Sequence, residues 1–159
     1  MNIFISDLTT VCNTDDMICN LSPNDLVCYK SFVCPKRAKQ FLVAHSIKNK
    51  IACIFRYISI AHKDDFVIVA ASNSPIGVDI ENMTRKRDFE TISKFMNFQN
   101  INNADDFYRA FTLYEAQYKS ANNTELTPYF YRLQNYMICI VSNDTEIKWE
   151  NPGLIPEQI

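Results

Sequence analysis

Glycine is nearly missing from this chain. Its 159 residues include only Gly77 and Gly153, which excludes the glycine-rich loops that cradle phosphate in the common nucleotide-binding folds. The 6 cysteines (Cys12, Cys19, Cys28, Cys34, Cys53, Cys139) contain no Cys-x-x-Cys pair, so the usual spacing of redox and zinc motifs is missing. No apolar run approaches the roughly 20 residues that cross a bilayer, and Met1–Ser6 lacks the basic and apolar regions of a secretory signal. The cysteines are therefore expected to be reduced, mostly buried thiols in a cytoplasmic protein with no membrane partner. A large charge of one sign is missing too. The net charge is −2 with no long basic block, which argues against nucleic acid as a partner.

Apolar material is plentiful. Hydrophobic residues make up 47% and aromatics 13% of the chain, the composition of a globular protein rather than a disordered one. A chain of this size buries roughly two-thirds of its unfolded surface, enough for one domain or two fused small halves without staples.

Local signals predict the elements. Asn2–Leu8 reads as a strand, and residues 9–20 as polar turns. Ser22 caps a short helix with Pro23 in its first turn, ending near Phe32, and a second helix starts at Pro35. Ile51–Ile60 reads as a strand. Asp64–Asp65 is a turn, after which Phe66–Ala71 and Ile76–Ile80 are expected to form a hairpin. Helices follow over about Asp88 to Met96 and, more strongly, Ala104 to about Ala121. Tyr136–Val141 and Glu146–Trp149 read as closing strands, with a loose tail after Pro152.

The richest segment is Asn73–Ser74–Pro75–Ile76–Gly77–Val78–Asp79–Ile80–Glu81, which holds one of the two glycines. Side chains alternate along a strand, so Asp79 and Glu81 face the same way. Two such carboxylates repel unless a cation sits between them, and a hard cation such as Mg²⁺ takes oxygen ligands of this kind. Downstream, Glu115 and Lys119 are four apart on the long helix and border an apolar side carrying Phe107, Phe111 and Tyr118. An ordinary i,i+4 salt bridge is the alternative reading of that pair.

The string Gly77–Val78–Asp79–Ile80–Glu81 resembles the Gly-Val-Asp-Ile-Glu motif of the 4'-phosphopantetheinyl transferases, enzymes that arm carrier proteins from coenzyme A. Two further segments resemble the same family. Ile58–Ser59–Ile60–Ala61–His62 is similar to its Ser-x-Ser-His strand, with Ala61 for the second serine. Phe111–Thr112–Leu113–Tyr114–Glu115–Ala116…Lys119 is similar to its Trp-Thr-x-Lys-Glu-Ala-x-x-x-Lys helix, with Phe111 for the tryptophan and Tyr114 for a lysine. Leu21–Ser22–Pro23…Pro35–Lys36–Arg37–Ala38–Lys39 resembles the family's N-terminal helical segment. Other signatures depart: no Gly-Lys-Pro accompanies Lys50, Gln99 stands at an acidic position, and Asn122–Asn123–Thr124–Glu125–Leu126 replaces a Gly-x-Gly-Leu turn.

The resemblance covers roughly residues 21–140, and the nearer branch is the single-chain, pseudo-dimeric type. It implies an α+β fold of two pseudo-symmetric halves, each a small antiparallel sheet packed on a long helix. The halves would span approximately 1–74 and 75–159 of a single domain, with the site in the cleft between them. It implies transfer of 4'-phosphopantetheine to a serine of an apo acyl or peptidyl carrier protein. In that reading Asp79, Glu81 and Glu115 hold Mg²⁺, and Glu115 and Lys119 are catalytic. Arg37, Lys39, His62 and Lys119 would bind coenzyme A, with Lys36 a further cation for its phosphates. The protein would be a monomer. The cluster Arg85–Lys86–Arg87 would meet an acidic carrier surface or be a solvated loop. Two other readings stand beside this one: a non-catalytic module binding coenzyme A or a carrier protein, and an unrelated Mg²⁺-dependent nucleotide enzyme.

Overall fold

The computed structural model describes residues 1–159, the side chain of Pro152 excepted. The chain is an α+β protein with two four-stranded sheets and five α-helices. The first sheet has β1 (Asn2–Asp7), β2 (Tyr57–Lys63), β3 (Phe66–Ser72) and the short β7 (Lys148–Trp149), in the order β2-β3-β1-β7. All its pairings are antiparallel except β1 with β7. The second sheet has β4 (Ile76–Asn82), β5 (Thr127–Leu133), β6 (Tyr136–Ser142) and β8 (Glu157–Gln158), in the order β4-β6-β5-β8, all antiparallel.

Alternation along the strands builds three apolar layers. Ile3 and Ile5 of β1 and Ile68 and Ala70 of β3 pack against Ile76, Val78 and Ile80 of β4 and Ile138 and Ile140 of β6, so the sheets share one core. The opposite face of the first sheet carries Val67, Val69 and Ala71, covered by Val43, Ala44 and Ile51 of α3 (Pro35–Ile51). The opposite face of the second sheet carries Met137, Cys139 and Val141, covered by Phe107, Tyr108 and Ala116 of α5 (Ala104–Lys119). Each sheet thus has one long helix on its outer face.

Gly77 sets how closely α5 approaches. A Cβ there would lie 1.9 Å from the Ala116 carbonyl oxygen and 2.9 Å from its carbon. Both are backbone atoms of the helix, so only the missing side chain allows this contact.

Several expectations are corrected. Residues 9–20 include a helix, α1 (Thr14–Cys19), which Asn13 caps by accepting from the Asp16 amide, with Asp15 and Asp16 in its first turn. Capping chemistry carries this helix rather than apolar periodicity, since it buries no residue. Ile51–Ile60 is not one strand. Ile51 ends α3 on the same buried stripe as Val43, Ala44 and Ile47, and β2 begins only at Tyr57. Phe66–Ala71 and Ile76–Ile80 are not a hairpin, because both edges of β3 are already paired, by β1 and β2, and β4 pairs instead with β6. The hairpin is β2–β3, turning at Asp64 in the left-handed region with φ 51. β5 has no counterpart among the expected elements, and Pro128 within it is a residue that local signals demote from a strand. The C-terminal tail pairs with β5 through β8 rather than hanging free.

The cysteines are corrected as well. Cys12, Cys19, Cys28, Cys34 and Cys53 are exposed, and only Cys139 is buried. Burial and the nearby Asp79 charge push the Cys139 thiol far up. An aromatic disulfide reagent is expected to titrate five thiols quickly in the folded protein and the sixth only on unfolding. More than five fast thiols would contradict this packing. Among the described residues, no helix is long and apolar enough to cross a membrane.

Candidate active site

The edge strands β2 and β4 run side by side where the two sheets meet. The Val78 amide donates to Ser59 Oγ at 3.1 Å, and further along the pair Lys63 Nζ lies 2.6 Å from Glu81 Oε2. The strands therefore run in the same direction along a seam, and α5 closes it from the second sheet's outer side. Ile76, Val78 and Ile80 face the shared core, which turns Gly77, Asp79 and Glu81 toward α5.

Asp79 is 7% exposed. Its Oδ1 accepts from Lys119 Nζ at 2.8 Å, and the same ammonium donates to the Val78 carbonyl at 3.1 Å. Its Oδ2 is buried with no hydrogen-bond partner, a costly arrangement for a carboxylate oxygen. Burial pushes the Asp79 carboxyl up to about 6; Lys119 opposes the rise, and the Glu81 and Glu115 charges add to it. Glu81 is 9% exposed, and its Oε2 is held by Lys63 at 2.6 Å and by Arg87 at 2.7 Å. The Arg87 guanidinium also stacks over Phe111 at 4.9 Å. Glu115 is half-buried on α5 and makes no ion pair or hydrogen bond among the described residues.

One end of the seam is strongly cationic. A groove of about 450 Å³ is lined by Lys36, Arg37, His62, Lys63, Asp64 and Arg85, among others. Arg37 Nη1 donates to Gln40 Oε1 at 3.1 Å and lies 3.1 Å from a His62 ring nitrogen. No carboxylate pairs with Arg37 among the described residues. Burial lowers the His62 pKa, and the charges of Arg37, Lys119 and Lys63 lower it further. A neutral imidazole crowded by three cations is a ready partner for an anion. Lys36 pairs with Asp65 at 2.9 Å, and Arg85 with Asp64, which also accepts from Asn82 and the Tyr136 hydroxyl.

The fold thus gathers Asp79, Glu81, Glu115, Lys119, His62 and Arg37 around one seam. Lys39 is not brought there. Its ammonium donates to the Leu8 and Val11 carbonyls at 2.7 and 3.1 Å and ties α3 to the loop after β1. Lys63 and Arg87 neutralise Glu81, although the sequence offers Arg87 only within the Arg85–Lys86–Arg87 cluster and does not mark Lys63. The signal lay in their positions, Lys63 next to His62 and Arg87 six residues past Glu81.

Among the described residues, no group of three His, Cys, Asp or Glu side chains is arranged to enclose a metal ion. Ammonium and guanidinium groups instead occupy Asp79 Oδ1 and Glu81 Oε2. The donor chemistry nevertheless fits a hard cation, since Asp79 Oδ2 has no partner and the Glu81 and Glu115 charges both bear on Asp79. A separate cavity of about 540 Å³ beside α4 (Phe89–Met96) contains none of these residues. Compared with protein-family models and with curated proteins, the chain finds no match.

Proposed function

We propose that this protein is a phosphopantetheinyl transferase with the fold of that family, moving the 4'-phosphopantetheine arm of coenzyme A to a serine of an apo acyl or peptidyl carrier protein. The observation that carries this reading is the buried Asp79 with an unpartnered oxygen, flanked by Glu81, Glu115 and Lys119, with Arg37, which no carboxylate pairs among the described residues, beside His62 at one end of the seam.

The residues divide the work by charge. Arg37 and His62 take the 3'-phosphate of coenzyme A, with Lys63 and Arg85 adding positive potential to the groove. Asp79, Glu81 and Glu115 would hold Mg²⁺, which would supply charge neutralisation for the phosphates. Lys119 leaves Asp79 Oδ1 to meet the pyrophosphate oxygens, exchanging one anionic partner for another. Glu115, the one acid of the three without a cationic partner among the described residues, takes the proton of the attacking serine, directly or through water. The serine oxygen bonds to the phosphorus nearer the arm, the bond to the leaving phosphate breaks, and adenosine 3',5'-bisphosphate departs. Such transfers rest mainly on positioning and electrostatics, which is what this seam offers.

A second reading has one observation in its favour. Glu81 is already neutralised by Lys63 and Arg87, as suits a module that binds coenzyme A or a carrier protein without chemistry. An unrelated Mg²⁺-dependent nucleotide enzyme is the third. Ligand-dependent heat protection separates this third reading from the first two. Coenzyme A with Mg²⁺ is expected to raise the unfolding midpoint, and Arg37→Ala and His62→Ala to remove that protection. ATP should protect far less. Equal protection by ATP, or protection indifferent to both substitutions, would contradict the assignment of the groove.

A further inference from the structure

The cavity of about 540 Å³ beside α4 lies away from the seam, and two consecutive stretches of chain wall it. Phe89, Glu90, Ser93, Lys94 and Asn97 form one wall. They recur at i, i+1, i+4, i+5 and i+8, so they share a single face of the helix and its cap. The helix ends at Asn97, which lies in the left-handed region with φ 56, and residues 98–104 supply the other wall. Phe89 and Phe98, one from each wall, lean on the fully buried Phe107, with ring centroids 4.5 and 6.4 Å away. The core therefore holds both walls in place.

We propose that this cavity is a second binding site, for a small uncharged molecule that joins an apolar ring or short chain to an amide or carbonyl group. Ser93 stands at the middle of the helical wall. It is 9% exposed, and its Oγ is buried with no hydrogen-bond partner. A helical serine ordinarily turns its hydroxyl to a carbonyl of the preceding turn or to water, so this hydroxyl is a donor left over, and a carbonyl oxygen brought by the ligand satisfies it. Phe89, Phe98, Ile101 and Ala104, which all pack against the Phe107 and Tyr108 cluster, take the apolar body. The two charged side chains neutralise each other, since Lys94 Nζ donates to Glu90 Oε1 at 2.7 Å. The exposed polar side chains that remain include the amides of Asn97, Gln99 and Asn102. Such a lining offers hydrogen bonds and no net charge, so a charged ligand would lose its hydration and gain no counter-charge. The volume is that of sites which hold small molecules. No seam residue lines the cavity, so the inference stands apart from the transferase reading.

The test follows the backbone amide signals of the isotope-labelled full chain by NMR with three probes of similar size. Acetanilide is neutral and carries a ring and an amide; phenylacetate is its anionic counterpart and phenethylamine its cationic one. Acetanilide is expected to shift the amides of residues 89–104 saturably, with a Kd on the order of 1 mM. The charged probes should bind at least about fivefold more weakly. Ser93→Ala is expected to weaken acetanilide about fivefold without lowering the unfolding midpoint, since the hydroxyl it removes has no partner in the fold. Gln99→Trp, at the exposed rim, fills the mouth and should abolish the shifts. Equal binding of the three probes, or an unchanged acetanilide affinity in Ser93→Ala, would overturn the proposal. Absence of saturable shifts with acetanilide would overturn it as well, and movement of the same amides by an apo acyl carrier protein would then assign this face to a macromolecular partner.

Discussion

Gly77→Ala is expected to cost the protein about 3 kcal/mol or more, at the upper end of what overpacking does. The new methyl would meet the Ala116 carbonyl oxygen at 1.9 Å, and neither partner is a flexible side chain that swings away. Gly77 is fixed in β4 by pairing with Val141, and Ala116 lies within α5, so either the helix moves out or the strand bends. For a chain of this length the unfolding midpoint should fall by roughly 10 °C, read from a thermal melt. The site should suffer beyond the fold. Glu115 flanks Ala116 and Lys119 is one turn further on, so an outward shift of α5 draws both away from Asp79. A variant with an unchanged midpoint and intact coenzyme A binding would show that α5 does not approach β4 as described.

Asp79→Asn is expected to abolish transfer while stabilising the fold. The unfolded chain ionises this carboxyl near its ordinary value of 3.8, and the folded chain holds the proton up to about 6. Folding thus favours the protonated acid, and ionising Asp79 costs stability. The cost is absent below pH about 4, grows between there and pH 6, and is then constant at roughly 3 kcal/mol, the free-energy equivalent of the shift. Asparagine keeps the shape, still accepts from Lys119 and carries no charge. With a chelator present, urea unfolding at pH about 8 should therefore find Asp79→Asn more stable by about 1 to 3 kcal/mol, and the gap should close toward pH 4. A destabilised variant at pH 8 would mean that the Lys119 pair outweighs the burial of the charge. Glu115→Gln is expected to remove transfer with little effect on stability, since its carboxylate makes no ion pair among the described residues.

Much of this site was legible before the fold was. The one-face placement of Asp79 and Glu81 follows from strand alternation alone. The four-residue spacing of Glu115 and Lys119 follows from helical geometry. Gly77 was conspicuous because the chain has so little glycine, yet its reason, the contact with the Ala116 carbonyl, is a tertiary fact that no local pattern carries. Strand partners were the weak point. β3 and β4 both read as apolar strands joined by a Ser-Pro turn, and nothing in either tells a hairpin from a crossing between two sheets. The decision lies in β1 and β6, at distant positions in the chain, which claim their edges. The basic helix start shows the same limit. Arg37 and Lys39 look alike in sequence, but α3 turns the first toward His62 and the second toward the Leu8 carbonyl. The exposure of Cys19 and Cys28 follows from how few side chains α1 and α2 (Pro23–Ser31) bury, which apolar neighbours in sequence do not reveal, and Cys12, Cys34 and Cys53 lie outside those helices.

Intact-protein mass spectrometry of an apo acyl carrier protein, incubated with this protein, coenzyme A and Mg²⁺, decides whether the seam is catalytic. A mass gain of one phosphopantetheine arm is expected, lost on adding chelator and absent with Asp79→Asn or Glu115→Gln. An unchanged carrier mass across several carrier proteins, from a protein that still binds coenzyme A, would contradict the transferase reading and leave the non-catalytic binding module as the reading of this seam.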